Sequence, residues 1–380
     1  MNYPRPMRVL VVGHTYIVAE NRAKLLALAA TQKVKIGLLA PKIWPVPQIR
    51  QTFRLEDTPD GLVQIFSSKV ICAGRLGAYL FPPLYLLSVL RDFKPDIIHV
   101  EAELFSVISL QMILVGKIAK LPITLFCWEN MNRKLGIRLL NTKLVARSLA
   151  YLFAGNKEAL ALARSWGYFG EAIVIPQLGV KISDNLRPKS FQNHNFIVAY
   201  VGRLVYEKGV DLLLHAISDL VKKEISVRLY IVGAGPEEKR LRELAQELGI
   251  VNRIFWYGWV SHKEVSSILS SAHVLVLPSR TVPYWSEQFG HVLIEAMAEG
   301  IPVVGSSCGA IPDVIDLSDL VFPEGHWQAL SRILQKLATD PEYYESCARH
   351  SVQRVKNFTH EEVAKKMIEC WDKILEHGTG

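Results

Sequence analysis

Cysteine is scarce in this chain, with five in 380 residues, and no two of them stand in a C-x-x-C pair. That spacing offers neither a disulfide framework nor a zinc site, and it predicts buried, reduced thiols in a cytoplasmic protein. Long apolar runs are also missing. The longest candidates are residues 76–90, interrupted by Pro82 and Pro83, and residues 105–115. Neither reaches the roughly 18 apolar residues of a membrane span, so a soluble or peripheral protein is expected. The opening stretch MNYPRPMRVLVVG lacks the apolar core of a signal peptide, and its short run at residues 9–12 reads as a buried strand. No G-x-G-x-x-G follows that strand, which speaks against a nicotinamide oxidoreductase. There is no internal repeat, no low-complexity segment and no nucleic-acid recognition motif, so no nucleic-acid partner is expected.

Half of the residues are hydrophobic, which excludes a disordered chain, and the length suits two ordinary domains. The net charge of +8 hides an asymmetry. Residues 1–190 hold 25 Lys and Arg against 12 Asp and Glu, whereas residues 191–380 hold 19 against 24. A basic half joined to an acidic half points to two domains with different partners. Anionic lipid or a phosphate-bearing substrate would suit the basic half, and so would a plain solvated surface.

Short β-branched runs alternate with helical-period segments along the whole chain. Strands are predicted at residues 9–12, 35–39, 97–100, 123–126, 152–154 and 172–175, then at 196–201, 228–232, 254–256, 274–277 and 302–305. Helices are predicted at residues 21–30, 105–119, 209–223, 236–248, 263–270, 291–299 and 326–337. This alternation predicts an α/β protein with parallel, doubly wound sheets. The polar stretch 181–195 contains Pro188 and reads as a linker, so the expected domains are residues 1–185 and 186–359. A last helix at residues 360–377 follows the second domain and is free to pack back on either one.

Three stretches of the second half carry chemistry. In FIVAYVGRLVYEKG a strand ends at Gly202 and is followed by Arg203 and Lys208. Two cations beyond a strand's carboxyl end, ahead of a helix, suit a diphosphate. In VGAGP, Gly233 permits a tight turn after the next strand. In LPSRTVPYWSEQFGHVLIEAM, Glu287 lies on a loop, a helix opens near His291, and Glu295 follows within that helix. Carboxylates accept hydrogen bonds from vicinal hydroxyls, and a helix start offers N–H groups to phosphate. Each stretch by itself also fits surface charge, a structural turn or ordinary surface glutamates.

Taken together, GRLVYEKG, IVGAGPEEKRLREL, FWYGWV, VLPS, EQFGHVLIEAMAEGIPVV and CGAIPDVI resemble retaining glycosyltransferases of family 4, in order and spacing, across residues 196–315. The first half resembles the family more loosely, through Val9–Gly13, PDIIHVEAE and the stretch from AGNKEAL to VIPQLGV. The resemblance implies the GT-B architecture, two Rossmann-like doubly wound parallel-sheet domains facing across a cleft. It implies that Arg203 and Lys208 bind the donor diphosphate, that Glu287 lies near the donor sugar, and that Glu295 bonds the nucleotide ribose. Phe289, Gly290 and His291 match the turn beside sugar and phosphates, and Trp259 and Val260 fall where the base packs. No metal or other cofactor is implied, and no D-x-D site stands on a suitable loop.

The first half departs from the family pattern. The loop after its first strand, GHTYIVAEN, holds only Gly13, with His14, Thr15, Tyr16 and Asn21 as acceptor-side candidates. Where many relatives place a histidine, this chain reads FCWENMNR, so Glu129 is the candidate for contact with acceptor or donor sugar. Glu101 and Glu103 follow a strand end, and His99 is assigned to the strand core. The basic stretch 132–147 interleaves cations with apolar residues at helical spacing and fits either an interfacial helix on anionic lipid or an amphipathic helix of the domain's own core.

The expected function is a retaining, metal-independent glycosyltransferase. It would move a sugar from a nucleotide-sugar donor to a glycan or lipid-linked acceptor in envelope or exopolysaccharide assembly. It would work in the cytoplasm, with an anionic membrane surface as a possible partner. Closure about the linker would assemble the site. A sugar-nucleotide epimerase of the same architecture and a non-catalytic membrane-associated binding protein are the alternatives.

Overall fold

The computed structural model describes residues 5–46, 51–57, 61–132, 136, 138–190 and 195–377. The chain begins with β1 (Met7–Val12), α1 (Ala23–Ala30), β2 (Val34–Pro41), the hairpin β3 (Ile43–Val46) and β4 (Gln51–Arg54), and β5 (Val63–Ser68). It continues with α2 (Pro83–Phe93), β6 (Ile97–Glu101), α3 (Val107–Ala119), β7 (Ile123–Cys127), α4 (Arg138–Ser148), β8 (Tyr151–Ala154), α5 (Lys157–Ser165) and β9 (Ala172–Val174). The second half runs β10 (Phe196–Val201), α6 (Val210–Lys222), β11 (Val227–Val232), α7 (Glu238–Glu247), β12 (Ile254–Gly258), α8 (His262–Ser271) and β13 (Val274–Leu277). It ends with α9 (His291–Ala298), β14 (Val303–Ser306), α10 (Ile311–Ile315), β15 (Val321–Phe322), α11 (Trp327–Thr339), α12 (Pro341–Val355) and α13 (His360–His377).

Two compact units result, Met1–Gly179 with His360–Gly380, and Val180–Thr359. The first unit is built on a seven-stranded sheet in the order β5-β2-β1-β6-β7-β8-β9, every pair parallel. The pleat sends Leu10 and Val12 of β1 into one core and Val9 and Val11 into the other. Helices α2, α3, α4 and α5 pack in the first core, and α1 and α13 in the second. The second unit holds a six-stranded parallel sheet in the order β12-β11-β10-β13-β14-β15. Both are doubly wound α/β sheets, as the strand–helix alternation predicts. In each, the strand order reverses beside the first strand, between β1 and β6 and between β10 and β13. Such switch points open crevices outside the carboxyl ends of the strands.

Local chemistry explains the differences from the sequence reading. Helix α2 went unpredicted because Pro82-Pro83 reads as a break. Pro83 in fact stands in the first helical turn, where a missing N–H costs nothing. Helix α5 starts at Asn156, whose side chain accepts the Ala159 N–H at 2.6 Å. Strand β5 is a half-exposed sheet edge with little hydrophobic signal.

The expected linker, residues 181–195, is largely tied to the second unit. Val180, Ile182 and Leu186 pack against that unit's core, and Lys189 Nζ donates to the carbonyls of Ser270 and Ala272 at 2.5 and 2.7 Å. The passage from one unit to the other falls at Gly179–Val180, earlier than the polar composition indicated. Residues 191–194 lie outside the described residues.

Candidate active site

The second unit's switch point is framed by the loops after β10 and β13. In the β10 loop, Tyr200 Oη donates to the Arg203 carbonyl at 2.8 Å, and buried Leu204 anchors the backbone. This leaves the Arg203 guanidinium exposed. Lys208 ends the same loop. Its Nζ lies 2.6 Å from Glu287 Oε2 and 4.7 Å above the Trp285 ring. Gly209 follows in the left-handed region, at φ 65°, where a Cβ would stand 2.0 Å from the Pro278 carbonyl oxygen. Only glycine permits that approach, and the approach brings Lys208 to the β13 loop. Gly233, after β11, serves the same end. A Cβ there would lie 1.9 Å from the Gly202 carbonyl oxygen, so Gly233 backs the loop that carries Arg203.

Glu287 is buried, and its carboxylate also accepts Ser279 Oγ–H at 2.9 Å. Its backbone is held from behind. The Glu287 N–H donates to Cys308 Sγ at 3.5 Å, and its carbonyl accepts the Ala310 N–H at 3.0 Å. Gly309, at φ 52°, would place a Cβ 2.1 Å from the Glu287 carbonyl oxygen. The CGA segment is therefore the platform on which Glu287 rests.

Helix α9 opens at Gly290, its N-cap at φ 74°, over the Leu277 side chain. His291 is the first helical residue, and Glu295 lies one turn on with Oε1 3.0 Å from His291 Nδ1 and 3.9 Å from His262 Nδ1. Burial pushes the Glu295 carboxyl up, but the hydrogen bond and charge of His291, with His262 behind them, hold it below its ordinary value. Phe289 packs on Phe358 with ring centroids 5.7 Å apart. Trp259 is 81% exposed after β12, and Val260 leans on the core.

Of the residues predicted from sequence, the structure places Arg203, Lys208 and Glu287 on the two switch-point loops and pairs the last two directly. It joins Glu295 to His291 at the start of α9. Glu129 belongs to the first unit, where it is buried. Its N–H donates to Glu103 Oε1 at 3.0 Å, and its own Oε1 accepts the Met131 N–H at 3.1 Å. Sequence reasoning missed Ser279, Trp285, His262 and the Cys308–Gly309 platform. Ser279 and Gly309 were visible only as small residues inside the VLPS and CGAIPDVI matches.

In the first unit Glu101, at the end of β6, is fully buried. It receives Lys24 Nζ at 2.7 Å, Gln177 Nε2 at 2.9 Å and the Tyr16 hydroxyl, with His99 Nε2 at 3.6 Å. Burial alone would raise the Glu101 carboxyl, but the Lys24 ammonium and His99 hold it far below the usual range. His99 sits in the strand core as expected, 2.8 Å from Thr124 Oγ1 through Nδ1. His14 packs 4.8 Å from Trp44, and burial pushes its imidazole down to about 4, so it is neutral at pH 7. Among the described residues, no group of three or more His, Cys, Asp or Glu is placed to hold a metal ion.

Two doubly wound parallel sheets, with an exposed and a paired cation at the second sheet's switch point, are the parts of a GT-B fold. Residues 182–354, within the second unit, match the family model of glycosyl transferases group 1. The chain is similar to an uncharacterized glycosyltransferase of Methanocaldococcus jannaschii, 34% identical over 33% of this chain and 30% of that protein. It is also similar to the gpi3 subunit of the phosphatidylinositol N-acetylglucosaminyltransferase of Schizosaccharomyces pombe, 28% identical over 51% of this chain and 40% of that protein. The alignments thus span less than half the length of these curated relatives. Among solved structures, HepE of Anabaena, crystallised in complex with UDP, superposes with a TM-score of 0.68 at 16% identity, covering 97% of this chain and 100% of that one. That likeness extends the fold over both units.

Proposed function

We propose that this chain is a retaining, metal-independent glycosyltransferase that takes a nucleoside diphosphate sugar as donor and a glycan or lipid-linked hydroxyl as acceptor. The observation that carries the reading is the set at the second unit's switch point. An exposed Arg203 and a Lys208 held against buried Glu287 stand on the two loops there, and helix α9 opens after the second loop. The guanidinium, the ammonium and free helix N–H groups would take the diphosphate. Glu295 would accept from the ribose hydroxyls, Trp259 and Val260 would flank the base, and Glu287 with Phe289 would border the sugar. Acceptor recognition is assigned to the first unit, including the loop of Glu129.

In the reaction, the bond between the anomeric carbon and the leaving phosphate oxygen breaks as the acceptor oxygen bonds to that carbon on the same face. The acceptor's proton passes to the departing phosphate oxygen, so no separate base is required. Arg203 and Lys208 stabilise the negative charge that collects on the diphosphate. The UDP in the HepE complex makes uridine diphosphate the first donor base to test. The phosphatidylinositol in the name of the Schizosaccharomyces relative makes a lipid-linked acceptor the first acceptor class. A place at the cytoplasmic side of a membrane, in envelope or exopolysaccharide assembly, completes the reading. It accords with the basic first half and with the finding that no described helix is long and apolar enough to cross a membrane.

The test is a thermal-shift panel of nucleoside diphosphates and their sugars in EDTA. A ligand present at about 100 times its dissociation constant should add roughly 2.7 kcal/mol to the folded state. Arg203→Ala and Glu295→Ala should each abolish the shift. No shift with any nucleotide would sink the reading. Epimer formation from donor alone, without acceptor, would replace it with the epimerase alternative.

A further inference from the structure

The tripeptide Ser279-Arg280-Thr281 leaves β13 at the second unit's switch point, and each of its side chains is tied to a different part of that unit. Ser279 Oγ donates to Glu287 Oε2 at 2.9 Å. The Thr281 N–H and hydroxyl both donate to Glu324, beyond β15, at 2.6 and 2.8 Å. Arg280 reaches the opposite way, to the loop after β10. Its backbone N–H donates to the Glu207 carbonyl at 2.8 Å. Its guanidinium carbon lies 4.5 Å above the Tyr206 ring. Its Nη2 donates to Asp211 Oδ1, in the first turn of α6, at 2.5 Å. Tyr206 and Glu207 precede Lys208 and Asp211 follows it, so Arg280 grips the chain on both sides of that lysine.

The grip has a consequence because Lys208 and Glu287 stand on different loops. Lys208 closes a single turn of 3-10 helix, Tyr206–Lys208, and so short a turn has poor hydrogen-bond geometry of its own. The lysine ammonium is a compact charge on a flexible stem, and holding it in one place costs rotamer entropy. Its 2.6 Å contact with Glu287 Oε2 therefore persists only while the two loops stay in register. Gly209 permits the backbones to approach, but removing a clash supplies no attraction. Arg280 supplies it. The Arg280 side chain is 14% exposed and its charge is met by Asp211, so it is not a third cation offered to a diphosphate. One planar group lays its face on a ring while its edge reaches a carboxylate, which a lysine cannot do. Asp211 also lies 3.7 Å from the Arg240 guanidinium of α7. Without Arg280, Asp211 keeps a counter-charge, and what is lost is the position of the loop.

We infer that Arg280 is a positioning residue of the donor site, which sets Lys208 against Glu287 by strapping the β10 loop to the β13 loop. The inference rests on the transferase reading for the purpose of the strap, a fixed ammonium for the donor diphosphate, but not for the strap itself.

The experiment reads the strap first without ligand. The full chain is treated briefly with acetic anhydride, and the reactivity of each lysine is followed by peptide mass spectrometry. Lys208 should react slowly in wild type, since its side chain is 13% exposed and its ammonium is paired. In Arg280→Ala and Arg280→Lys it should react at least about tenfold faster, the equivalent of one lost charge-assisted bond. Lys189, bonded to the Ser270 and Ala272 carbonyls ahead of β13, is the internal control and should keep its wild-type rate. Isothermal titration with UDP should then show binding weakened about tenfold in both variants. Unchanged Lys208 reactivity in Arg280→Ala overturns the inference and leaves the transferase reading standing if UDP still binds. Equal acceleration at Lys208 and Lys189 would reveal general loosening of the unit, and it too overturns the inference. So does a freed Lys208 with undiminished UDP affinity. A freed Lys208 in a chain whose wild type binds no nucleoside diphosphate would uphold the strap and sink the transferase reading.

Discussion

Glu101 holds its charge inside the first unit because Lys24, Tyr16, Gln177 and His99 all turn toward it. Its depressed titration means that the stabilisation is present above the usual carboxylate range and is lost as pH falls through the folded value. Glu101→Gln would leave the Lys24 ammonium buried without a counter-charge, which costs about 3–5 kcal/mol. A urea unfolding midpoint should drop accordingly, and pairing the change with Lys24→Met should restore much of it. An unchanged midpoint in Glu101→Gln would show that the cluster does not hold the unit together. At this scale the sequence was legible in part. Glu287 and Glu295 stand out by their placement around a helix start, and Arg203 and Lys208 by following a strand. Lys24 and Gln177 were not legible, because nothing local marks residues 77 and 76 positions away from Glu101 as its partners. Gly309 was visible as a residue but not as the support of the Glu287 carbonyl, since close approach between backbones leaves no periodic trace.

Among the elements, the joint between β10 and β13 is held by a histidine. The Ile197 N–H donates to His273 Nδ1 at 2.9 Å, which requires that nitrogen to be unprotonated. Burial, with the Lys189 charge behind it, pushes the His273 imidazole down to about 4. Below pH about 6.5 the unfolded chain takes up a proton that the folded one refuses, so stability falls from there toward pH 4. His14, also lowered to about 4, adds to the same window. The His273→Gln variant should therefore show a shallower loss of unfolding midpoint between those pH values than wild type. Identical slopes would assign the effect elsewhere. The element scale was the most readable in sequence, because a strand's alternation and a helix's period are local. The misses have two local causes. Strand β5, a half-exposed edge, and β15, two residues long, carry little hydrophobic signal, whereas the apolar α2 begins at a proline that looks like a stop.

Over the whole molecule, the last helix belongs to the unit that holds the first strand. Helix α13 packs on α1, and the buried Trp371 ring lies 5.5 Å from His99, with its Nε1 donating to Thr124 Oγ1 at 3.4 Å. Trp371→Ala should cost about 3–5 kcal/mol. Hydrogen exchange should show faster opening of β1 and β6 amides, with β10 and β13 amides unchanged; protection lost equally in both units would contradict this division of cores. By itself the sequence determined the α/β alternation, the two sheets and the ordered motifs of the second unit, because these depend on short-range periodicity and on glycines and charges at fixed offsets from strand ends. Tertiary structure alone decided where one unit passes into the other, which unit receives α13, and which carboxylate meets Lys208. Each of those depends on pairing groups far apart in the chain, and only a closed fold, with its buried charges and hydrogen bonds satisfied, selects the partners.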